Sequence, residues 1–219
     1  METLAESRRG RPATASRSDV VELARGQYLA GERVDLTVVA RRLGLGRATI
    51  YRWFGSRDAL LGDIIASEFE QLIARHRVAV RRRGSAGLLE VFDRINRDLS
   101  RSRALRALLE QERDSALRLL TSSGGPVQPR SVAAVQSLID AEVEAGRYQP
   151  PADPNALAYA IVRLAEAFLY NDAAIGIRGD WERLHEVEAA LLGVVPTGTR
   201  ARPRRPASGA RGARRRREP

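Results

Sequence analysis

DLTVVARRLGLGRATIYRWFGSRDALL, residues 35–61, reads as two short helices joined by a tight turn, followed by the start of a third. Asp35 suits a helix start, because its carboxylate accepts from the free N–H groups of the first turn. Val39, Ala40 and Leu43 recur at helical spacing over residues 36–43, and Gly44 stands where a left-handed residue would end that helix. A second short helix is expected from Arg47 to about Trp53. It turns Ile50 and Phe54 inward and leaves Arg47, Thr49, Tyr51 and Arg52 outward or on its flanks. Ala40 lets the two helices cross closely, Gly44 turns the chain, and Ile50 locks the second helix against the first. Such a second helix can enter the DNA major groove with its N-terminal residues against base edges.

On the N-terminal side, Ser18 is expected to cap a supporting helix that reaches about Ala30. Val20, Leu23, Ala24 and Tyr28 share one face of it, and Gly31 is its stop. On the C-terminal side, Gly55 turns the chain and Ser56 caps a long helix with Asp58 in its first turn, at the positive end of the helix dipole. Leu61, Ile65, Phe69, Leu72 and Ala79 mark the buried face of that helix, which is expected to run to about Arg83. One helix therefore ties the DNA-binding unit to everything after it.

Val39-Ala40, Gly44-Leu45-Gly46, Thr49-Ile50-Tyr51, Phe54 and Ser56-Arg57-Asp58-Ala59-Leu60 together resemble the DNA-binding segment of the TetR family of bacterial transcriptional regulators. The resemblance spans residues 18 to about 65; beyond that, the helical pattern and chain length agree. Gly46 stands where a capping serine is common in that family, and Trp53 where histidine is. The resemblance implies a homodimeric repressor, bound to double-stranded operator DNA, whose variable C-terminal domain binds a small-molecule inducer. By position, Thr49, Tyr51 and Arg57 match family residues that hold phosphates or adjoining bases. Chemistry adds, at the helix start, Arg47 for a guanine and Ala48 for a thymine methyl or close backbone approach, with Arg52 on the exposed side. Thr37 could reach the DNA backbone. Trp53 has two readings, an indole N–H on a phosphate or a core filler.

The rest of the chain keeps helical period, so the expected class is all-α: an N-terminal three-helix helix-turn-helix domain, then a larger helical ligand-binding and dimerisation domain. The expected divisions are a basic arm over 1–17, the DNA-binding domain over 18–62, the effector and dimerisation domain over 63–195, and a disordered Arg-rich tail over 196–219. Leu88, Phe92, Ile95 and Leu99 stripe one helix, and Leu105 to Leu119 another that can break in two. Residues 122–129 read as a loop. Val132, Val135, Ile139 and Val143 stripe a helix ended by Gly146; Asp153-Pro154 opens the next, expected to reach about Ile175, and Asp180 and Gly193 bracket the last. The Pro154 helix is apolar over a wide arc, which fits either a dimer interface or the centre of a monomeric bundle. Candidate ligand contacts are Phe92, Tyr159, Arg163, Tyr170, Asn171 and Trp181. Tyr159, Tyr170, Asn171, Asp172 and the 176–181 connection resemble a TetR subfamily associated with quorum-signal lactone degradation.

Enzymatic and metal chemistry find no support. The chain has no cysteine, and its two histidines, His76 and His185, lack a partner cluster with metal-ligand spacing. No cofactor is expected. No signal peptide or membrane span is visible, so a cytoplasmic location is expected. Net charge is +10 but unevenly placed: +2 over residues 1–17, +4 over 18–83, −4 over 84–195 and +8 over 196–219. That asymmetry fits a nucleic-acid footprint at the N-terminal part and the tail. All basic residues are arginine, which a coding bias alone would also produce. Arg9-Gly10-Arg11-Pro12 has the thin, extended character that lets Arg9 and Arg11 enter an A·T-rich minor groove, or it is a solubilising arm. A second function class, an architectural protein that binds DNA without effector or strong sequence preference, uses the same Arg-rich ends. A flexible tail neutralises phosphates without fixing side chains against bases. Truncation after Val195 is therefore expected to flatten the plot of log affinity against log salt by roughly 0.9 per phosphate lost, with sequence preference unchanged; an identical slope would show that the tail makes no DNA contact.

Overall fold

The computed structural model describes residues 15–171 and 181–194, and every regular element among them is a helix. The order is α1 (Arg17–Leu29), α2 (Leu36–Leu43), α3 (Arg47–Phe54), α4 (Arg57–Ala79), α5 (Gly84–Arg101), α6 (Arg103–Gln111), α7 (Arg113–Thr121), α8 (Val127–Glu144), α9 (Pro154–Ala165) and α10 (Trp181–Leu191). A wide π-turn, Glu166–Asn171, continues α9. No described helix is long and apolar enough to cross a membrane. Arg9 and Arg11, Asp172, the 176–180 connection with Asp180, and the 196–219 tail lie outside the described residues, as does the Asn171 side chain.

The punctuation of the first helices is local chemistry. Asp35 accepts from the N–H groups of Thr37 and Val38 to open α2, and Gly44 closes it with φ +64 in the left-handed region. Ser56 opens α4 by accepting from the Ala59 N–H. The cap of α1 is Ser16 rather than Ser18. Ser16 stands three residues before Asp19, so its hydroxyl accepts from the Asp19 N–H while the Asp19 carboxylate accepts from the Ser16 N–H.

Four further expectations are corrected. α4 ends at Ala79 rather than near Arg83, because Val80 turns extended to bury its side chain, and the Arg83 guanidinium donates to the Val80 carbonyl across the corner. Ala79 is exposed, not part of the buried face. The loop after α7 is shorter than 122–129: α8 starts at Val127, and Pro129 fits its first turn, where a missing N–H leaves no intrahelical bond unmade. The helix expected from Pro154 to about Ile175 changes at Glu166 into the π-turn. The stretch from Leu105 to Leu119 does break in two, at Glu112, whose backbone is non-helical.

Two apolar clusters hold the molecule, and α4 belongs to both. The first joins Val20, Val39, Ile50, Phe54, Leu60, Leu61 and Ile64 to Leu105, Leu109 and Leu120. The second joins Leu72 and Ile73 of α4 to Leu88, Phe92 and Ile95 of α5, Ile139 of α8, Leu157 and Ile161 of α9 and Leu192. The division into 18–62 and 63–195 is therefore kept as a proposal about function, since α6 packs on α1 and α7 on α4.

The α4–α5 corner is tied to the end of α8. The Gly84 N–H donates to Glu142 Oε2 at 2.7 Å, and the Arg147 guanidinium holds both oxygens of the same carboxylate at 2.8 and 2.9 Å. Gly84 has φ +66, and a Cβ there would lie 2.6 Å from the Arg147 carbonyl oxygen. Gly84→Ala is expected to cost roughly 2–4 kcal/mol, from the left-handed backbone and the clash together, read by chemical denaturation. A variant as stable as the parent would show that this corner does not constrain the fold.

Candidate functional site

The exposed face of α3 carries most of the residues assigned to DNA. Ile50 and Phe54 are buried and hold the helix down, while Arg47, Ala48, Tyr51 and Arg52 are exposed and Thr49 is half-buried. The Arg47 guanidinium lies over the Tyr51 ring, 5.9 Å from its centroid. That contact pre-orients a long side chain beside the helix N-terminus, where base edges would be met. Trp53 is half-buried, packed on the first cluster and edge-on to Phe54, with ring centroids 6.4 Å apart. Its ring fills the core margin. Thr37 is half-buried at the start of α2, its N–H on Asp35.

Arg57 is placed differently from the other candidates. Its guanidinium grips the Glu112 carboxylate with two nitrogens, at 2.8 and 2.5 Å, and its Nε donates to the Val34 carbonyl at 2.7 Å. Arg33 reaches the same carboxylate at 3.1 Å. Both partners are mostly buried. In this form Val34 and Glu112 hold three donors of Arg57 and the exposed Asp58 carboxylate a fourth, at 3.3 Å, so a two-pronged grip on a phosphate requires Glu112 to let go. Glu112 escaped the sequence reading; the signal was a charged residue at the break between two amphipathic stretches.

The second feature is a mainly apolar cavity of about 30 Å³ between α4, α5, α7, α8, α9 and α10. Phe69, Phe92, Ile95, Leu99, Val135 and Ile161 are among its apolar lining; Asn96, Ser131, Glu166, Tyr170 and Glu188 supply its polar groups. Of the predicted ligand residues, Phe92 and Tyr170 line it. Tyr159 does not: it is 49% exposed on the outer side of α9, because its register there is opposite Leu157 and Ile161. Arg163 is exposed and, among the described residues, reaches inward to Glu166 and the Thr121 carbonyl. Trp181 is half-buried under the Arg97 guanidinium, 4.8 Å from its ring centroid, and does not line the cavity.

Asn96 and Glu188 were missed. Each stood in the sequence as a polar residue inside an apolar stripe, Asn96 after Phe92 and Ile95, Glu188 between Leu184 and Leu192. Glu188 is fully buried, and the Asn96 side-chain N–H₂ donates to both its oxygens at 2.9 and 3.0 Å. Burial pushes the Glu188 carboxyl up to about 7; the Asn96 bond opposes this, and nearby Asp93 adds to it. Burial also raises the Glu166 carboxyl, against the pull of Arg163 and Gln128. Between the ordinary carboxylate value and 7, folded Glu188 keeps a proton that the unfolded chain has released. Its contribution to stability therefore grows as pH falls from 8 towards 5. Glu188→Gln is expected to stabilise the protein at pH 8 by at most about 3 kcal/mol and to have little effect at pH 5, measured by denaturant titration at both values. The same stability change at both would mean that Glu188 is not titrating in the fold.

Comparison with known proteins adds three structures and one family. The model of the tetracyclin repressor-like C-terminal domain matches residues 83–193. The transcriptional repressor QsdR of R. erythropolis, from the TetR family, is 31% identical with a TM-score of 0.77, over 84% of this chain and 97% of that one. AlkX of Dietzia sp. strain DQ12-45-1b, a TetR family repressor implicated in biodegradation of n-alkanes, is 24% identical with a TM-score of 0.53, over 82% and 98%. FadR of Bacillus subtilis, solved with stearoyl-CoA, is 13% identical with a TM-score of 0.50, over 83% and 100%. The last two share the fold. No curated protein matches the chain. The helix-turn-helix on the first cluster, the matched C-terminal domain and the likeness to QsdR lead to one conclusion: the chain belongs to the TetR family of transcriptional regulators.

Proposed function

We infer that the chain is a homodimeric, sequence-specific DNA-binding repressor that a small-molecule inducer releases from its operator in the cytoplasm. The observation that carries this reading is the placement of α4. Arg57 at its start grips Glu112 beside the recognition unit, and Phe69, just past its midpoint, lines the cavity. A ligand that opens the cavity must move Phe69 or its neighbours, and a rigid helix transmits that displacement to α3. If the ligand prefers a form whose recognition helices miss successive major grooves, roughly 34 Å apart, DNA and ligand weaken each other by the same factor.

The dimer rests on the outer faces of α9 and α10. Ala156, Tyr159 and Ala167 are exposed there, with Ala160, Leu164 and Phe168 half-buried beside them and Val187 exposed on α10. A small-residue stripe flanked by aromatic and aliphatic groups suits close helix packing against a second copy. Two copies are also what a pseudo-palindromic operator requires.

Division of labour on α3 sets the test. Arg47→Ala is expected to cost roughly 1–3 kcal/mol at one base position, whereas Tyr51→Phe should weaken all sites alike. Selection from a randomised DNA pool followed by footprinting reads both. A preference matrix unchanged by Arg47→Ala removes the base contact, and the absence of any preference in the parent protein favours the architectural reading.

A further inference from the structure

Among the described residues the cavity is lined by two carboxyl groups and by no arginine or histidine. Glu188 projects from α10 and Glu166 from the π-turn, both buried. The neutral donors around them are largely engaged: the Asn96 N–H₂ on Glu188, and the Ser131 hydroxyl on the Val127 carbonyl at 2.8 Å. Among the described residues the cation paired with Glu166 is Arg163, which approaches from the exposed side of α9. A carboxylate has about four acceptor directions. Asn96 reaches Glu188 through one nitrogen shared between both oxygens, so the described residues leave acceptor capacity unused in an apolar enclosure.

We propose that this cavity selects a small, mainly apolar molecule whose polar end donates hydrogen bonds, an amide N–H, a hydroxyl or an ammonium, and discriminates against a carboxylate or phosphate on the same apolar body. The inference rests on reading the cavity as the effector site. An entering anion would lose its water to meet two acidic groups in low dielectric, with Tyr170 as the chief neutral donor on the wall. A donor head instead completes the Glu188 carboxyl, while Phe69, Phe92, Ile95 and Leu99 take the tail. A volume of about 30 Å³ admits water only, so the ligand must open the walls. The π-turn that carries Glu166 and Tyr170 is the part of the wall whose backbone departs from regular α-helical bonding, and such turns recur at functional positions.

The test uses four six-carbon probes, hexanamide, 1-hexanol, hexylamine and hexanoate, titrated into the full-length protein by calorimetry at pH 7.5. At least one donor probe is expected to bind ten-fold or more tighter than hexanoate, and comparison of hexanamide and hexanol with hexylamine separates a neutral donor from a cation. Glu188→Gln, checked for fold by circular dichroism, is expected to narrow that ratio to about three-fold or less. If the variant fails to fold, the order of the four probes on the parent protein decides. Hexanoate binding as tightly as the donor probes overturns the inference, as does the failure of all four to bind or a ratio unchanged in a folded Glu188→Gln. Operator titrations run in parallel separate the two readings. Donor probes that bind yet leave operator affinity unchanged count against the inducer reading and leave the ligand class standing; release by hexanoate alone does the reverse.

Discussion

The Arg57–Glu112 pair is the constraint on which the relation between the two halves of the molecule depends. α6 and α7 separate at Glu112, and its carboxylate faces back to the first residue of α4. With two guanidinium nitrogens on one carboxylate and the third on the Val34 carbonyl, the pair has both directional bonds and low exposure. Pairs of this kind contribute little net stability, because desolvation offsets attraction, but losing one partner strands the other. Their physical effect is to fix geometry. Here it sets where the recognition unit sits against α6 and α7. An interaction that is geometrically strict and energetically near balance can release without unfolding either side.

The cavity obeys the opposite logic. Its polar groups are few and buried in apolar packing, where each unpaired acceptor is costly. Burial raises the Glu188 carboxyl to about 7, which keeps the uncompensated charge partly suppressed near neutral pH. The cost is reduced but not removed. Sites that carry such a cost commonly mark function, since packing alone would favour leucine at the position between Leu184 and Leu192.

How much was legible follows from where the information is local. Gly44, Asp35, Ser56 and the Asp153-Pro154 step act within three or four residues of themselves, so helix starts and stops were readable, and so was the inward pair Ile50 and Phe54. Ser16 was overlooked because the choice between two serines depends on which one stands three residues before an acid. The end of α4 was misplaced for a different reason: Val80 breaks the helix to reach a tertiary core, which no local propensity encodes. Tyr159 shows the same limit. Its place among aromatic residues suggested a pocket, but a helix shows two apolar faces in sequence without saying which one meets the cavity. Glu112, Asn96 and Glu188 each appeared as a polar residue in an apolar context, and only their partners, 55 and 92 positions away in sequence, give them meaning.

The short recognition helix makes these long-range ties necessary. Eight residues are too few to form a stable helix alone, and α3 begins at a glycine that offers no side-chain cap. Its order therefore comes from Ile50 and Phe54 packed into a cluster that continues through α4 into α6 and α7. Precision at base edges is thus borrowed from the far side of the molecule. A change that loosens α4 or the Glu112 contact reaches Arg47 and Ala48 through the support of α3 rather than through any contact of their own. Sensitivity of this kind is a liability for stability and the physical basis for control, because the same packing that orders the helix gives the cavity a route to it.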